Sequence, residues 1–347
     1  MNRRAAWTGL DGPQFLLAAT VVGLLIRLLN LGGKSLWLDE AFNIAVVKTG
    51  LKALWTQTFE THHPPLHFIL QKLWMQGGEG EFWLRLLPAL CGAAAVPLVY
   101  FFGKKVAGKN ASLTAAGLVA LSPLLVWYSQ DFRPYSFVVA LGLAAMTAAV
   151  YLFLKPGLLT GIVFAVGMVA AFYTHYALLS LIPLQILLIV FLKTRGKIEA
   201  HGISYWLFGL AAAGIAFFPW LKTPAARAFF SVLKTGSYPG QMLTKGLGIG
   251  TTTLVLLMIA AGYLVLVAGI HVIRWSAEKR KIGRQAKREG AGANVTLGVL
   301  WLVFLGLSVM PRGYSIKKQI ALFVPYGMLL IGCGWPWERT NRKKIAA

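Results

Sequence analysis

The chain has 347 residues, of which 57% are hydrophobic and only 13% are charged, and its mean hydropathy is +0.65. A soluble globular domain carries about twice that share of charged residues, so the composition excludes a soluble enzyme. Lysine and arginine total 34 against 11 acidic residues, which gives a net charge of +23. On so apolar a chain this excess indicates the positive-inside rule and contact with anionic lipid, and it argues against nucleic-acid binding.

Apolar runs of roughly 20 residues, the length that crosses a bilayer, recur along the chain. We predict an all-α integral membrane protein, a single polytopic domain over residues 1–347 with about ten transmembrane helices. The predicted spans are 14–31, 83–103, 111–129, 135–154, 157–174, 177–192, 203–221, 247–273, 295–310 and 319–336. The first span follows Arg3 and Arg4, contains Arg27 and lacks a small-residue cleavage site, so we interpret it as an uncleaved helix.

Lysine and arginine concentrate in alternate gaps between these spans. The densest group lies in residues 274–293, which we predict to be a basic cytoplasmic loop that fixes the topology and touches lipid headgroups. Both termini are then cytoplasmic, in the cell membrane. The long first loop, 32–82, faces outward together with the loop 222–246 and the turns at 130–134, 175–176 and 311–318.

Residues 64–76 decide how many times the chain crosses the membrane. The segment is apolar but short, and His67, Gln71 and Lys72 recur at helical spacing on one flank, which favours a helix lying in the interface. If the segment spanned instead, Lys104 and every later basic cluster would change sides. We therefore predict amphipathic juxtamembrane helices in the first outer loop.

The first candidate site begins just beyond the first span, where Asp39 and Glu40 are adjacent. One of two adjacent acids can face a cleft as a general base while the other binds a metal, a cation or a backbone amide. In the structural alternative, both acids lie at the positive end of a helix predicted from Glu40 to Thr49. The spacing leaves both interpretations open.

The second candidate site is the segment 60–67, ETHHPPLH, in which a double proline starts the interfacial helix. Its glutamate and three histidines, Glu60, His62, His63 and His67, with Glu40 from the first site, are candidate ligands for a divalent metal, although their spacing matches no closed zinc site. We favour the alternative that the imidazoles of His62 and His63 hydrogen-bond a phosphate or a sugar. No other cofactor is predicted.

The third candidate site is the outer turn between the third and fourth spans. There Asp131 and Arg133 either pair with each other or leave the guanidinium to bind an anion such as phosphate, with Tyr135 close behind. Further basic and aromatic residues on the outer side are His175, Tyr176, Arg312, Lys317 and Lys318. In the alternative, the lysines snorkel at the membrane edge. A base beside several cations and aromatic rings suits transfer of a sugar from an anionic lipid carrier.

At these residues the chain resembles the polytopic lipid-carrier-dependent glycosyltransferases of the GT-C fold. It is most similar to the family-39 group, which contains the protein O-mannosyltransferases and the lipid A aminoarabinose transferases. The resemblance rests on the acidic pair Asp39-Glu40, on Pro64-Pro65-Leu66 and on the segment 129–135, SQDFRPY.

This resemblance implies a polyprenyl-phosphate-linked sugar as donor and inversion at the anomeric carbon. It implies that Asp39 is the catalytic base, which takes the proton from an acceptor hydroxyl. Arg133 is the first candidate for stabilising the leaving phosphate, and Lys317 or Lys318 is the second.

We therefore expect an enzyme with its active site on the outer face of the membrane. Its expected partners are the donor, membrane lipids and a glycan, lipid or protein acceptor, with no nucleic acid. The chain ends soon after its last predicted span, so we expect the loops to take the acceptor directly. The main alternative is a transporter or flippase of a lipid-linked glycan, and a third is a scaffold subunit. Clustering of the candidate residues at one face, without repeated halves, favours the enzyme.

Overall fold

A computed structural model describes residues 12–56, 63–224, 226–227 and 325. Apart from residues 226 and 227, these residues belong to one compact unit of the chain. Within the described ranges the secondary structure is helical and contains no strand, which confirms the predicted all-α class.

We number the helices in chain order. They are α1 (Gly12–Leu28), α2 (Leu38–Lys48), α3 (Leu51–Thr56), α4 (Leu66–Met75), α5 (Glu81–Val106), α6 (Lys109–Leu121), α7 (Pro123–Ser129), α8 (Tyr135–Leu154), α9 (Leu158–Thr174), α10 (Leu181–Thr194) and α11 (Ala200–Leu221). A short 3-10 turn, Tyr176–Ser180, leads into α10.

Several of these helices are long and apolar enough to cross a membrane, as expected of a multi-pass membrane protein. In the described part of the chain they are α5, α8, the combined 3-10 turn and α10, and α11; α6 and α7 together would add a fifth. The apolar helices α1 and α9 are shorter. These elements coincide with the first seven predicted spans. The predicted spans 247–273, 295–310 and 319–336 lie outside the described residues, except for Pro325, so the number ten stays a prediction.

Helix α5 is the centre of the described unit and contacts α1, α4, α6, α7 and α8. Its buried face is rich in small residues, including Ala89, Gly92, Ala93 and Ala95. Lipid tails are as apolar as leucine, so membrane helices associate mainly through close packing, which small residues permit. The sequence of α5 therefore explains why so many helices approach it.

The third predicted span is bent by 56° between α6 and α7. Pro123 starts α7 and has no N–H to continue the hydrogen-bond ladder of α6. Ser122 caps the new helix, since its side chain accepts a hydrogen bond from the N–H of Leu125 at 3.4 Å. The bend re-aims the chain toward the turn that carries Asp131 and Arg133.

Helix α4 has ten residues and is about 15 Å long, which is too short to span a membrane. Its polar flank is turned into the protein: His67 and Gln71 are buried, while Leu73 is 55% exposed. The polar side chains find hydrogen-bond partners inside, which explains why the helix presents part of its apolar surface outward.

Gly92 lies where α5 passes closest to α1 and α7, and a Cβ there would overlap Ser129 Oγ and lie 2.8 Å from Arg27 Nε. We expect Gly92→Ala to lower the free energy of unfolding by about 1–3 kcal/mol through overpacking. The matched control is Gly214→Ala in α11, where a Cβ would have no neighbour within 4 Å. Thermal unfolding in detergent measures both, and equal melting temperatures would contradict this close approach.

Candidate functional site

A buried ion pair joins the first outer loop to α5. The carboxylate of Glu40 receives hydrogen bonds from Arg85 Nε at 2.8 Å and from Arg85 Nη2 at 2.6 Å, and both side chains are buried. Arg85 also donates to the backbone carbonyls of Leu31, Lys34 and Ser35, at 3.1, 2.7 and 3.2 Å. The two-pronged contact with Glu40 and the carbonyl bonds together fix the path of the chain between α1 and α2.

Glu40 also binds the outer turn between α7 and α8. Its Oε1 accepts a hydrogen bond from the backbone N–H of Phe132 at 2.8 Å, and its Oε2 accepts one from the N–H of Trp37 at 3.3 Å. The structural interpretation of the acidic pair therefore applies to Glu40, which lies in the first turn of α2 and holds two segments together.

Asp39 has a different environment from its neighbour. Its side chain is 30% exposed, and its Oδ2 lies 3.9 Å from Nη2 of Arg133. Arg133 also donates from Nη1 to the backbone carbonyl of Asp39 at 3.2 Å. Adjacent acids thus point in different directions, and only Asp39 reaches a partly open surface next to a cation.

The outer turn brings three further predicted site residues to the same place. Asp131 accepts a hydrogen bond at Oδ1 from Trp37 Nε1 at 2.9 Å. The guanidinium of Arg133 lies over the ring of Tyr135, 5.9 Å from its centroid. The sequence left open whether Arg133 pairs with Asp131. Among the described residues, the acid that forms an ion pair with Arg133 is Asp39.

A second group of predicted residues meets where α4 begins and α9 ends. The imidazole rings of His63 and His175 stack with their centroids 4.5 Å apart, and Tyr176 lies 6.5 Å from His63. His175 Nδ1 accepts a hydrogen bond from the N–H of Ala177 at 3.0 Å, and Tyr176 accepts one from Trp220 Nε1 at 3.1 Å. These partners fix the orientation of two side chains that the sequence placed at the donor site.

His67 links the two groups. The sequence assigned it to the polar flank of the interfacial helix and to the candidate metal ligands of the second site. Burial, followed by the charges of His175 and Arg133, lowers the pKa of His67 to about 3, so its ring is neutral at physiological pH. Its Nδ1 lies 3.2 Å from the carbonyl of Thr174, which assigns the proton to Nδ1.

A cavity of about 390 Å³ lies beside Arg133, between α4, α5 and the start of α8. Its apolar wall is formed by Leu70, Leu73, Trp74, Leu87, Pro88 and Phe137. His67, Gln71 and Arg133 are the polar residues of its lining, together with Cys91. Arg133 Nε is buried, and no described residue accepts a hydrogen bond from it. The cavity therefore suits an amphipathic ligand with an anionic group at the Arg133 end.

Hydrogen bonds hold the polar wall of this cavity in place. Asn43 donates from Nδ2 to Gln71 Oε1 at 2.6 Å and to the carbonyl of Phe132 at 3.2 Å. The carbonyl oxygen of Gln71 is thus occupied, and its amide NH₂ remains as the donor on this side chain. Asn43 connects α2, α4 and the outer turn from within the protein.

The site residues predicted from the sequence did not include Arg85, Trp37 or Asn43. An arginine inside an apolar run is a signal, because a charge in a span is costly unless it is paired, and Arg85 lies inside the predicted span 83–103. Trp37 and Asn43 gave no comparable signal. Of the predicted site residues, Glu60, His62, Arg312, Lys317 and Lys318 lie outside the described residues.

The candidate metal ligands are only partly covered by the structure. In residues 12–56 and 63–224 there is no group of three or more His, Cys, Asp or Glu side chains that could hold a metal ion. Both carboxylate oxygens of Glu40 are occupied by Arg85 and by backbone N–H groups. A metal at His63 would need ligands from outside the described residues, so it stays a hypothesis.

Comparisons with known proteins agree with this architecture. A sequence profile of the family described as dolichyl-phosphate-mannose-protein mannosyltransferase matches residues 62–222, somewhat less than half of the chain. The structure of the Archaeoglobus fulgidus oligosaccharyltransferase in complex with Zn and sulfate is similar with a TM-score of 0.58 at 14% identity, over 95% of this chain and 50% of that one. The chain has the GT-C fold.

Two further structures support this fold assignment, which confirms the resemblance found in the sequence. The archaeal oligosaccharyltransferase AglB from Archaeoglobus fulgidus, in complex with an inhibitory peptide and a dolichol-phosphate, has a TM-score of 0.54 at 13% identity, over 93% of this chain and 50% of its own. ArnT from Cupriavidus metallidurans in the apo state has a TM-score of 0.55 at 15% identity, with 92% and 59% covered.

The chain spans only about half the length of the oligosaccharyltransferase structures that it matches. No protein of curated function matches its sequence. The comparisons thus show the fold of this chain but not its reaction.

The burial of the Glu40–Arg85 pair leads to a testable difference in stability. Glu40→Gln leaves a buried guanidinium without its counter-charge, and we expect a loss of about 3–5 kcal/mol in the free energy of unfolding. The control is Glu79→Gln, whose pair with Lys48 has side chains 60% and 53% exposed. An exposed pair contributes about 0–1 kcal/mol. Denaturant unfolding in detergent measures both, and equal losses would contradict a structural role for Glu40.

Proposed function

We propose that this protein is a membrane glycosyltransferase that moves a sugar from a polyprenyl-phosphate donor to an acceptor hydroxyl on the outer face of the membrane. The observation that carries the proposal is the contact between Asp39 and Arg133 at the edge of an apolar cavity. The contact supports the proposal because Asp39 would be the base, Arg133 the phosphate-binding cation and the cavity the lipid site.

The comparisons support the class of donor. The matched profile describes mannosyltransferases that use dolichyl-phosphate-mannose, and the AglB structure contains a dolichol-phosphate. Another oligosaccharyltransferase structure holds a tethered acceptor peptide. A polyprenyl-phosphate donor is the feature these proteins suggest for this chain, while the acceptor is a glycan, a lipid or a protein.

The cavity beside Arg133 supports a binding mode for the donor. The first isoprene units fill the apolar space between Leu73, Trp74 and Phe137, and the phosphate meets the guanidinium of Arg133. The buried Nε of Arg133, which has no acceptor among the described residues, supplies a hydrogen-bond donor for one phosphate oxygen. The sugar then extends from the phosphate toward Asp39.

The chemical step follows from this arrangement. Asp39 takes the proton of the acceptor hydroxyl while the hydroxyl oxygen attacks the anomeric carbon from the side opposite the phosphate. The bond from the anomeric carbon to the acceptor oxygen forms, and the bond to the phosphate oxygen breaks. The phosphate leaves with the bonding electron pair, and Arg133 stabilises the negative charge that grows on it. Attack from the opposite side inverts the anomeric carbon.

Other side chains have supporting roles in this proposal. Glu40 orients α2 and the outer turn, and Tyr135 packs against the guanidinium of Arg133. His63, His175 and Tyr176 line the side of the site where the sugar or phosphate would bind. His62, Arg312, Lys317 and Lys318 remain candidates from the sequence, as does a divalent metal.

The base assignment is tested by Asp39→Asn. We expect transfer from polyprenyl-phosphate sugars, measured in a membrane fraction, to fall by about 100- to 10,000-fold because the general base is lost. Donor binding should persist, since Arg133 and the cavity are unchanged. The matched control, Glu79→Gln, removes an exposed carboxylate of the same loop and should transfer normally.

Two results would contradict this proposal in different ways. Undiminished transfer by Asp39→Asn would exclude Asp39 as the base. If neither the parent nor the variant transfers sugar, while both move lipid-linked glycan across vesicles, the flippase reading would replace the enzyme.

The donor site is tested by alkylation of Cys91, which lines the cavity. In a Cys333→Ser background Cys91 is the sole cysteine, because the chain has two. We expect polyprenyl phosphate to slow alkylation by a small maleimide, and Arg133→Gln to raise the half-saturating concentration about tenfold or more, as loss of a charged hydrogen bond does. Arg195→Gln, a control at an exposed arginine, should not change it. Equal protection by polyprenol without phosphate would contradict a phosphate site at Arg133.

A further inference from the structure

We infer that Arg27 is a positioning residue, which caps the broken end of α6, ties α7 to α1 and thereby sets where the outer turn presents Arg133 to Asp39. The structural part of this inference stands on contacts alone. Its effect on sugar transfer rests on the proposed function.

Arg27 lies in the last turn of α1 and is fully buried. Its Nε donates to Ser129 Oγ at 3.1 Å, and its Nη1 donates to the carbonyls of Gly23 and Ala120 at 2.8 and 3.0 Å. Its Nη2 donates to the carbonyl of Val119 at 3.2 Å. All of these acceptors are neutral, and no carboxylate in the described part of the chain forms an ion pair with Arg27. The guanidinium therefore acts as a fork of hydrogen-bond donors.

The bend in the third span leaves backbone carbonyls that need the hydrogen-bond donors of Arg27. In an unbroken helix the carbonyl of Val119 would accept from the N–H of residue 123, but that residue is proline. The carbonyls of Val119 and Ala120 lie in the last turn of α6, and lipid offers no hydrogen bond to replace the lost ones. Arg27 supplies these bonds and places a positive charge at the negative end of the helix dipole. Lysine has the charge but only one nitrogen, so it cannot reach all of these acceptors.

The contacts of Arg27 continue into the outer turn. Ser129, the last residue of α7, donates to the carbonyl of Leu125 at 2.5 Å while accepting from Arg27. Gln130 donates from Nε2 to the carbonyls of Arg27 and Leu29, at 3.1 and 2.9 Å. Glu40 holds the same turn from the other side through the N–H of Phe132. The position of Arg133 is thus determined from two sides, by the buried Glu40 and by the end of α1.

The test uses Arg27→Lys together with Ser129→Ala, which removes the link from Arg27 to α7 and the 3.3 Å bond from Ser136 Oγ of α8 but leaves the other Arg27 bonds. The matched control is Ser112→Ala, because Ser112 is equally buried in α6 and donates to the carbonyl of Gly108 at 2.6 Å, near the start of that helix. All three are made in the Cys333→Ser background. Unfolded protein is alkylated in a fast phase and folded protein in a slow, native phase. The first measurement is the alkylation rate of Cys91 in the native phase, and the second is the donor concentration that gives half-maximal transfer.

We expect Ser129→Ala and Arg27→Lys to change both readouts about fivefold or more relative to Ser112→Ala, as loss of a buried hydrogen bond would do if it moved the turn. Simple loss of folded protein would enlarge the fast alkylation phase but leave the native rate and the half-maximal concentration unchanged. Native-phase rates equal to the control in both variants would overturn the inference.

The two proposals fail separately. If Arg27→Lys does not fold, Ser129→Ala is compared with Ser136→Ala, which removes the bond from α8 to Ser129 and leaves the Arg27 contact in place. A native-phase rate that changes more in Ser129→Ala than in Ser136→Ala supports the inference, and equal changes overturn it. If the parent transfers no sugar, the proposed function fails, while the alkylation rates still decide whether Arg27 positions the turn.

Discussion

The candidate site depends on one buried ion pair, Glu40 with Arg85. Burying two charges is costly, and the cost is offset only when the geometry is good and the remaining donors are satisfied. Here the guanidinium makes two bonds to the carboxylate and three to backbone carbonyls, and the carboxylate also accepts the N–H of Phe132. The loop before α2 and the turn before α8 are therefore held on α5, and Asp39 and Arg133 meet because of it.

The chemistry proposed here separates the roles of neighbouring side chains by burial. Glu40 is fully buried and positions the backbone, whereas Asp39, one residue earlier, has a side chain that is 30% exposed and is the proposed base. His67 is kept neutral beside Arg133, so the described lining of the cavity presents one fixed cation to an anionic ligand. An apolar wall with one cationic end suits the polarity of a lipid phosphate.

Part of this arrangement was predictable from the sequence, and part was not. Seven described helical segments coincide with predicted apolar runs, because each run has to satisfy its own backbone hydrogen bonds in lipid. The sequence also selected Asp39, Asp131, Arg133, Tyr135, His63, His175 and Tyr176, which the structure brings to one side of the unit. It assigned His67 to a polar flank and to the candidate metal ligands, and it did not find Arg85, whose partner is 45 residues away. Local periodicity does not report such contacts, because they depend on how helices pack.

The sequence by itself determined the class of protein, since the length of the apolar segments and the distribution of charge between the loops directly determine how a chain inserts into a bilayer. It also selected the acidic pair and the outer turn as parts of a candidate site. Only the tertiary structure decided which acid is buried and that Arg133, 94 residues along the chain, meets Asp39. Only there does an apolar cavity adjoin that contact. These features arise because the packing of α5 against its neighbours, and not the order of residues, sets the distances between distant side chains.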